Sequence, residues 1–232
     1  NTEMLNKYSQ FSFAFAIIFL AEILAVTNNI SELRFFTKPL ITISLMIFIY
    51  LTIKKKSRFT SKIKIGLFFS LLGDVLLMFS GHHQLYFMLG LSAFLIAHLF
   101  YIAAFYVDLK SKVENEKRFV LPIFIVFGFL CISYYYFLRP YLGSMNIPVL
   151  AYCFVITLMG ITAALRYGKT NYKSFLWILL GAILFIISDA TLAYNKFVER
   201  MDMGDFWVMT TYMLAQFLIC MGTIERKYIK PN

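Results

Sequence analysis

The chain of 232 residues is 60% hydrophobic and 19% aromatic but only 15% charged, with a mean hydropathy of +0.74, which excludes an ordinary soluble domain. Its net charge of +10 does not point to nucleic acid, because the basic residues fall in short segments between apolar runs rather than along one face of a soluble helix. A spanning helix takes about 20 apolar residues, so this length holds roughly eight spans as one domain over residues 1–232 and no soluble domain.

Apolar stretches run at about 11–27, 39–53, 63–79, 85–107, 119–138, 148–166, 174–194 and 206–224. They predict an all-α polytopic membrane protein with eight transmembrane helices. The first stretch follows Lys7 as a signal peptide would, yet it contains Glu22 and runs into NNISELRFF rather than a small-residue cleavage site, so it is read as a span. Counted by alternate sides, 17 Lys and Arg fall on the side of the N-terminus and five on the other, namely Arg34, Lys38, Arg139, Lys196 and Arg200. The positive-inside rule then predicts cytoplasmic termini. Together with the absence of an evident targeting extension, that bias suits a bacterial inner membrane. Cys131, Cys153 and Cys220 all lie in apolar runs and read as small buried hydrophobes.

Two of the stretches carry an aspartate, Asp74 in the third and Asp189 in the seventh, each eight residues after a glycine, Gly66 or Gly181. The helix before each begins at a proline, Pro39 or Pro148, which suggests a 4+4 parallel repeat. A carboxylate at bilayer depth is costly unless paired, protonated or wetted, so an acid there marks a functional site. With eight crossings, both fall in the outer half of the membrane. Glu22, Lys38, His98, Tyr152, Tyr212 and Gln216 fall between the outer mouth and the midplane, which predicts a cavity open to the non-cytoplasmic side.

Taken together these residues resemble the lysoplasmalogenase (YhhN-like) family of integral membrane proteins. The resemblance rests on Lys38-Pro39, on GLFFSLLGDVLLM with Asp74, and on GLSAFLIAHLFYIAAF with His98 and Tyr101. It continues through PVLAYCFVITLMGITAALR with Tyr152 and Met159, GAILFIISDATLA with Ser188 and Asp189, and YMLAQFLI with Tyr212 and Gln216. It implies hydrolysis of the vinyl ether bond of a lysoplasmalogen to a fatty aldehyde and glycerophosphoethanolamine or glycerophosphocholine. The partners implied are a lysophospholipid substrate and the bilayer.

Vinyl ether hydrolysis protonates the alkene carbon, passes through an oxocarbenium ion and adds water. Two carboxyls in unlike environments serve a similar transition state in glycosidases. Burial favours the neutral carboxyl and two close carboxyls hinder joint ionisation, so one Asp is expected to hold a proton at neutral pH. The bare neighbours Gly73, Val75 and Leu77 favour Asp74 as proton donor, while Ser188 and Thr191 beside Asp189 favour its ionised form. The reverse assignment stays open. Lys38 suits a lipid phosphate; Tyr152, Tyr212 and Gln216 suit the glycerol, the ether oxygen or the water; His98 suits proton relay. Glu22 and Ser188 join the same polar set.

Blander roles compete for each residue: snorkelling for Lys38, an interfacial aromatic belt for Tyr152 and Tyr212, and interhelical hydrogen bonding for His98, Glu22 and Gln216. Three histidines without a His-x3-His pair argue against a catalytic metal, leaving only an Asp74, Asp189 and His98 triad conceivable. No cofactor is expected. The alternative function is a small proton-coupled transporter or lipid-binding membrane protein, in which the acids carry protons.

Overall fold

A computed structural model of the protein describes residues 2–54, 57–110 and 117–227. In chain order the helices are α1 (Thr2–Thr27), α2 (Ser31–Thr52), α3 (Arg58–Met78), α4 (Gln84–Leu109), α5 (Lys117–Leu142), α6 (Asn146–Ala164), α7 (Tyr172–Phe197) and α8 (Gly204–Ile224). A 3-10 turn, Gly143–Met145, joins α5 to α6. In a lipid environment backbone groups must be satisfied within the segment, which favours uninterrupted helices. Pro39 accordingly lies inside α2 rather than at its start, and Pro122 and Pro140 lie inside α5. Local residues set the ends. The Ser57 hydroxyl accepts from Thr60 N at 3.1 Å to cap α3, and Gly143 turns the chain between α5 and α6 with φ +51°.

The all-α, multi-pass membrane architecture holds, but the expectation of eight transmembrane helices does not. Six stretches of the described residues are long and apolar enough to cross a membrane: Ser9–Thr27, Ser31–Thr52, Gln84–Leu109, Phe119–Ala164, Tyr172–Phe197 and Gly204–Ile224. α3 drops out because Arg58, Lys62 and Lys64 crowd its first two turns and Asp74 follows. α5 and α6 merge because no charged break separates them beyond Arg139. The assignment of both termini to the cytoplasm and the 4+4 repeat were counted over eight crossings and lose that basis, although six crossings still leave both termini on one side. Lys55, Lys56, Lys112 and Lys230, part of the same count, lie outside the described residues.

Two helix pairs pack most extensively, α3 with α4 and α7 with α8. The glycines that precede the two aspartates are their points of close approach. Gly66 meets the ring of Tyr101, and a Cβ on Gly181 would lie 2.9 Å from Ala215 O and 3.1 Å from Ile219 N. Small residues let membrane helices approach this closely. α2 packs on both α3 and α8, α4 and α7 both pack on α6, and α5 lies outside against α6 and α7. A Gly181→Ala variant must push α8 away, because two of the three atoms nearest its Cβ are α8 backbone and only Ile219 Cγ1 belongs to a side chain, and should cost about 1–3 kcal/mol. Gly128→Ala, with nothing within 4 Å of the new Cβ, should be neutral or stabilising. Thermal melting of both variants in detergent checks the contrast, and equal Tm values would refute the close-packing role of Gly181.

Candidate active site

On α2, Arg34, Lys38 and Thr42 recur every four residues and form one polar stripe. It runs from the α1–α2 connection down to the third helix. There Asp74, buried on α3, accepts from Thr42 Oγ1 at 3.0 Å and from Tyr212 Oη of α8 at 2.6 Å, both on its Oδ2. Tyr212 in turn accepts from Gln216 Nε2 at 3.3 Å, and Gln216 Oε1 accepts from Tyr101 Oη of α4 at 2.8 Å. The three donors on this path all point towards Asp74. Such a series orients the carboxylate and strengthens each bond along it.

Asp189 of α7 has a different setting. Its Oδ2 accepts from Tyr152 Oη of α6 at 2.5 Å, and His98 Nε2 of α4 lies 3.8 Å away. The fully buried His98 has no hydrogen-bond partner on either ring nitrogen among the described residues. Its ring stands edge-on to Phe185 at 4.6 Å and to Tyr152 at 5.5 Å between centroids. Phe185 also stands edge-on to Tyr212 at 5.5 Å, so one aromatic ring separates the two acid networks.

Asp74 and Asp189 line a single cavity of about 700 Å3, together with Lys38, Ser188 and Tyr212. Phe94, Leu77 and Met209 supply apolar wall, and Arg34, Lys196, Arg200 and Asp205 stand towards the end formed by the α1–α2, α3–α4 and α7–α8 connections. The chamber thus joins an apolar inner wall to a strongly charged mouth, and a concave site with convergent polar groups is the usual form of a small-molecule site. Tyr152, His98 and Gln216 sit behind it and touch it through Asp189 or Tyr212. Glu22, fully buried on α1, does not line it; it accepts from Thr37 Oγ1 and lies 3.6 Å from Arg34 Nε.

Some sequence expectations are revised by these contacts. The Ser188 hydroxyl donates to Val208 O at 3.1 Å and Thr191 donates to Ile187 O at 2.8 Å, so neither supports Asp189. The better-supported carboxylate is Asp74, whose donors come from α2 and α8. Thr42, Arg34 and Asp205 were not picked out from the sequence as site residues, although the i, i+4, i+8 spacing of Arg34, Lys38 and Thr42 was there to read. Among the described residues no three His, Cys, Asp or Glu side chains group as metal ligands.

No solved structure matches the chain. The human protein named lysoplasmalogenase TMEM86A is 32% identical over 174 residues, covering 72% of this chain and 67% of its own length. A pig protein named lysoplasmalogenase TMEM86B is 28% identical over 225 residues, covering 97% and 89%. A Mycobacterium tuberculosis protein named lysoplasmalogenase is 28% identical over 151 residues, covering 63% and 54%. Relatives from mammals and mycobacteria alike give no support to a bacterial inner membrane in particular. The YhhN family matches residues 33–223, from the polar stripe of α2 to the last turn of α8, and the chain belongs to that family.

Proposed function

We propose that this protein hydrolyses the vinyl ether bond of a lysoplasmalogen, releasing a fatty aldehyde and a glycerophosphoethanolamine or glycerophosphocholine. The observation that carries the reading is a pair of carboxyls on one cavity in unlike hydrogen-bond settings. Two donors converge on Asp74 Oδ2, which suits a carboxylate. Asp189 has one donor, from Tyr152, and suits the protonated acid. Asp189 gives its proton to the alkene carbon distal to the ether oxygen, and the Asp74 carboxylate stabilises the resulting oxocarbenium ion. Water adds to that cation and yields its proton to Asp74, forming a hemiacetal. Asp74 then returns a proton to the glycerol oxygen while Asp189 takes the hemiacetal hydroxyl proton, so the C–O bond breaks and both acids regain their starting states. General acid–base steps of this kind follow the logic of paired carboxyls in glycosidases.

Lys38 suits the substrate phosphate, and Phe94, Leu77 and Met209 suit the alkenyl chain. The test is aldehyde release by the purified protein from lysoplasmalogen, beside the saturated alkyl ether, which has no alkene carbon to protonate. In D2O the aldehyde should carry one deuterium at C2, and the alkyl ether should remain intact. Binding or vesicle uptake of the lipid without aldehyde would replace this reading with the lipid-carrier one.

A further inference from the structure

We infer that Arg34 and Asp205 form a head-group subsite that takes a zwitterionic phosphate–ammonium group in exchange for their own ion pair. The inference rests on reading the cavity as a lysophospholipid site and adds what that reading lacks, a basis for head-group preference. Arg34 Nη1 and Asp205 Oδ2 are 3.5 Å apart at the cavity mouth, with side chains 29% and 46% exposed. A loose, partly exposed pair of this kind contributes little by itself and is exchanged at small cost. One helical turn inward stands Lys38, only 8% exposed on the cavity wall, with no hydrogen bond and no ion pair within 4 Å among the described residues.

An ammonium that opens on the cavity with no carboxylate within 4 Å among those residues, the charges of Asp74, Glu22 and Asp205 acting on it from farther off, has room for an anion from outside the chain. Arg34 and Lys38 lie on one face of α2, so a phosphate between them meets a fork of donors and a point charge. The guanidinium then leaves Asp205, whose carboxylate is free to receive the ammonium end of ethanolamine or choline. Charge is conserved in the exchange: one phosphate and one ammonium replace one internal pair. Arg200 Nη2, 3.9 Å from Asp205 and largely exposed, is too distant and too solvated to hold that carboxylate alone.

Glu22 makes the exchange directional. It is fully buried, fixed by the Thr37 hydroxyl, and lies 3.6 Å from Arg34 Nε, a different nitrogen from the Nη1 that faces Asp205. Arg34 therefore keeps one carboxylate when it releases the other, and its head stays at the mouth. Glu22 is a positioning residue, and it lies on α1, outside the stretch matched by the family.

The test compares alkenyl-glycerophosphoethanolamine with alkenyl-glycerol 3-phosphate, which lacks the amine. Asp205→Asn should lower the ratio of kcat/KM for the first over the second about tenfold, the scale of one charge-assisted contact. Arg34→Gln should raise KM for both substrates, and Glu22→Gln should do so with a smaller effect on kcat, restored in part by Glu22→Asp. An unchanged substrate ratio in Asp205→Asn overturns the subsite. Calorimetric binding of glycerophosphoethanolamine and glycerol 3-phosphate to the same proteins needs no cleavage. If no substrate yields aldehyde the hydrolase reading fails, while the subsite still stands or falls on whether Asp205→Asn removes the preference for glycerophosphoethanolamine.

Discussion

Asp74→Asn and Asp189→Asn are each expected to lower aldehyde release by about 10³-fold, within the range found for loss of a general acid or base, while the protein keeps its fold. The two losses have different origins. Asn at 189 occupies the same space and can still accept from Tyr152, but it has no proton of the required acidity for the alkene carbon. Asn at 74 can still accept from Thr42 and Tyr212 through its carbonyl oxygen, so the α2–α3–α8 contact survives. It cannot oppose the positive charge of the oxocarbenium ion or take a proton from water. The effect should therefore appear in kcat, with Tm close to that of the parent protein. Near-normal turnover in either variant would remove that Asp from the mechanism, and a large fall in Tm with turnover per folded molecule retained would assign it a packing role instead.

The location of this site was legible because an acid inside an apolar run has so few innocent explanations. Asp74, Asp189, Tyr212 and Gln216 stood out for that reason, and the structure brings them to one cavity or directly behind it. Which carboxyl suits the proton stayed open in the sequence, and the neighbours that leaned towards Asp74 do not bear on it, for a geometric reason. Residues adjacent in a helix project about 100° apart, so Ser188 beside Asp189 faces another helix and donates to Val208 O. The donors that matter to Asp74 come from residues 32 and 138 positions away. No local pattern shows such pairs. Arg34 counted among the loop charges, because its helix was expected to start at Pro39; with α2 beginning at Ser31 its four-residue spacing from Lys38 becomes a shared helix face.

Helix existence was likewise easier to read than the number of crossings. Each apolar run corresponds to a helix, since backbone satisfaction in lipid leaves few alternatives. Whether a helix is apolar enough to cross depends on where its charges lie, and α3 carries three basic residues in its first seven positions. The Gly-x7-Asp pattern had a packing cause that sequence could not specify. Gly66 and Gly181 bring α4 and α8 close to the helices that bear the acids, and those partners carry Tyr101, Tyr212 and Gln216 into the Asp74 network.

At the end of the bundle away from the cavity, Arg166→Met should destabilise the protein by about 3–5 kcal/mol, the usual cost of stripping a partner from a buried ion pair. Arg166 is fully buried, its Nε lies 2.9 Å from Asp108 Oδ2, and Nη2 donates to Ser174 Oγ at 3.0 Å. Ser174 donates onward to Gly222 O at 2.7 Å, and Arg226 Nε donates to the second oxygen of Asp108 at 2.8 Å. One cluster thus ties the ends of α4, α6 and α8 to the start of α7. Burial pushes the guanidinium of Arg166 down to about 10, so it stays charged at neutral pH and the pair remains ionic. Its flanks are covered by Phe59 and Phe105, whose centroids lie 5.4 and 5.6 Å from the guanidinium carbon. Methionine fills much of the space but leaves Asp108 with Arg226 alone and the Ser174 hydroxyl without its donor. The expected fall in Tm is on the order of 10 °C by the scaling for chains of this size, with kcat per folded molecule unchanged because no part of the cluster lines the cavity. Removing both charges together, as Asp108→Leu with Arg166→Met, should recover part of the loss. A single variant that melts with the parent protein would show that the cluster does not hold these helix ends together.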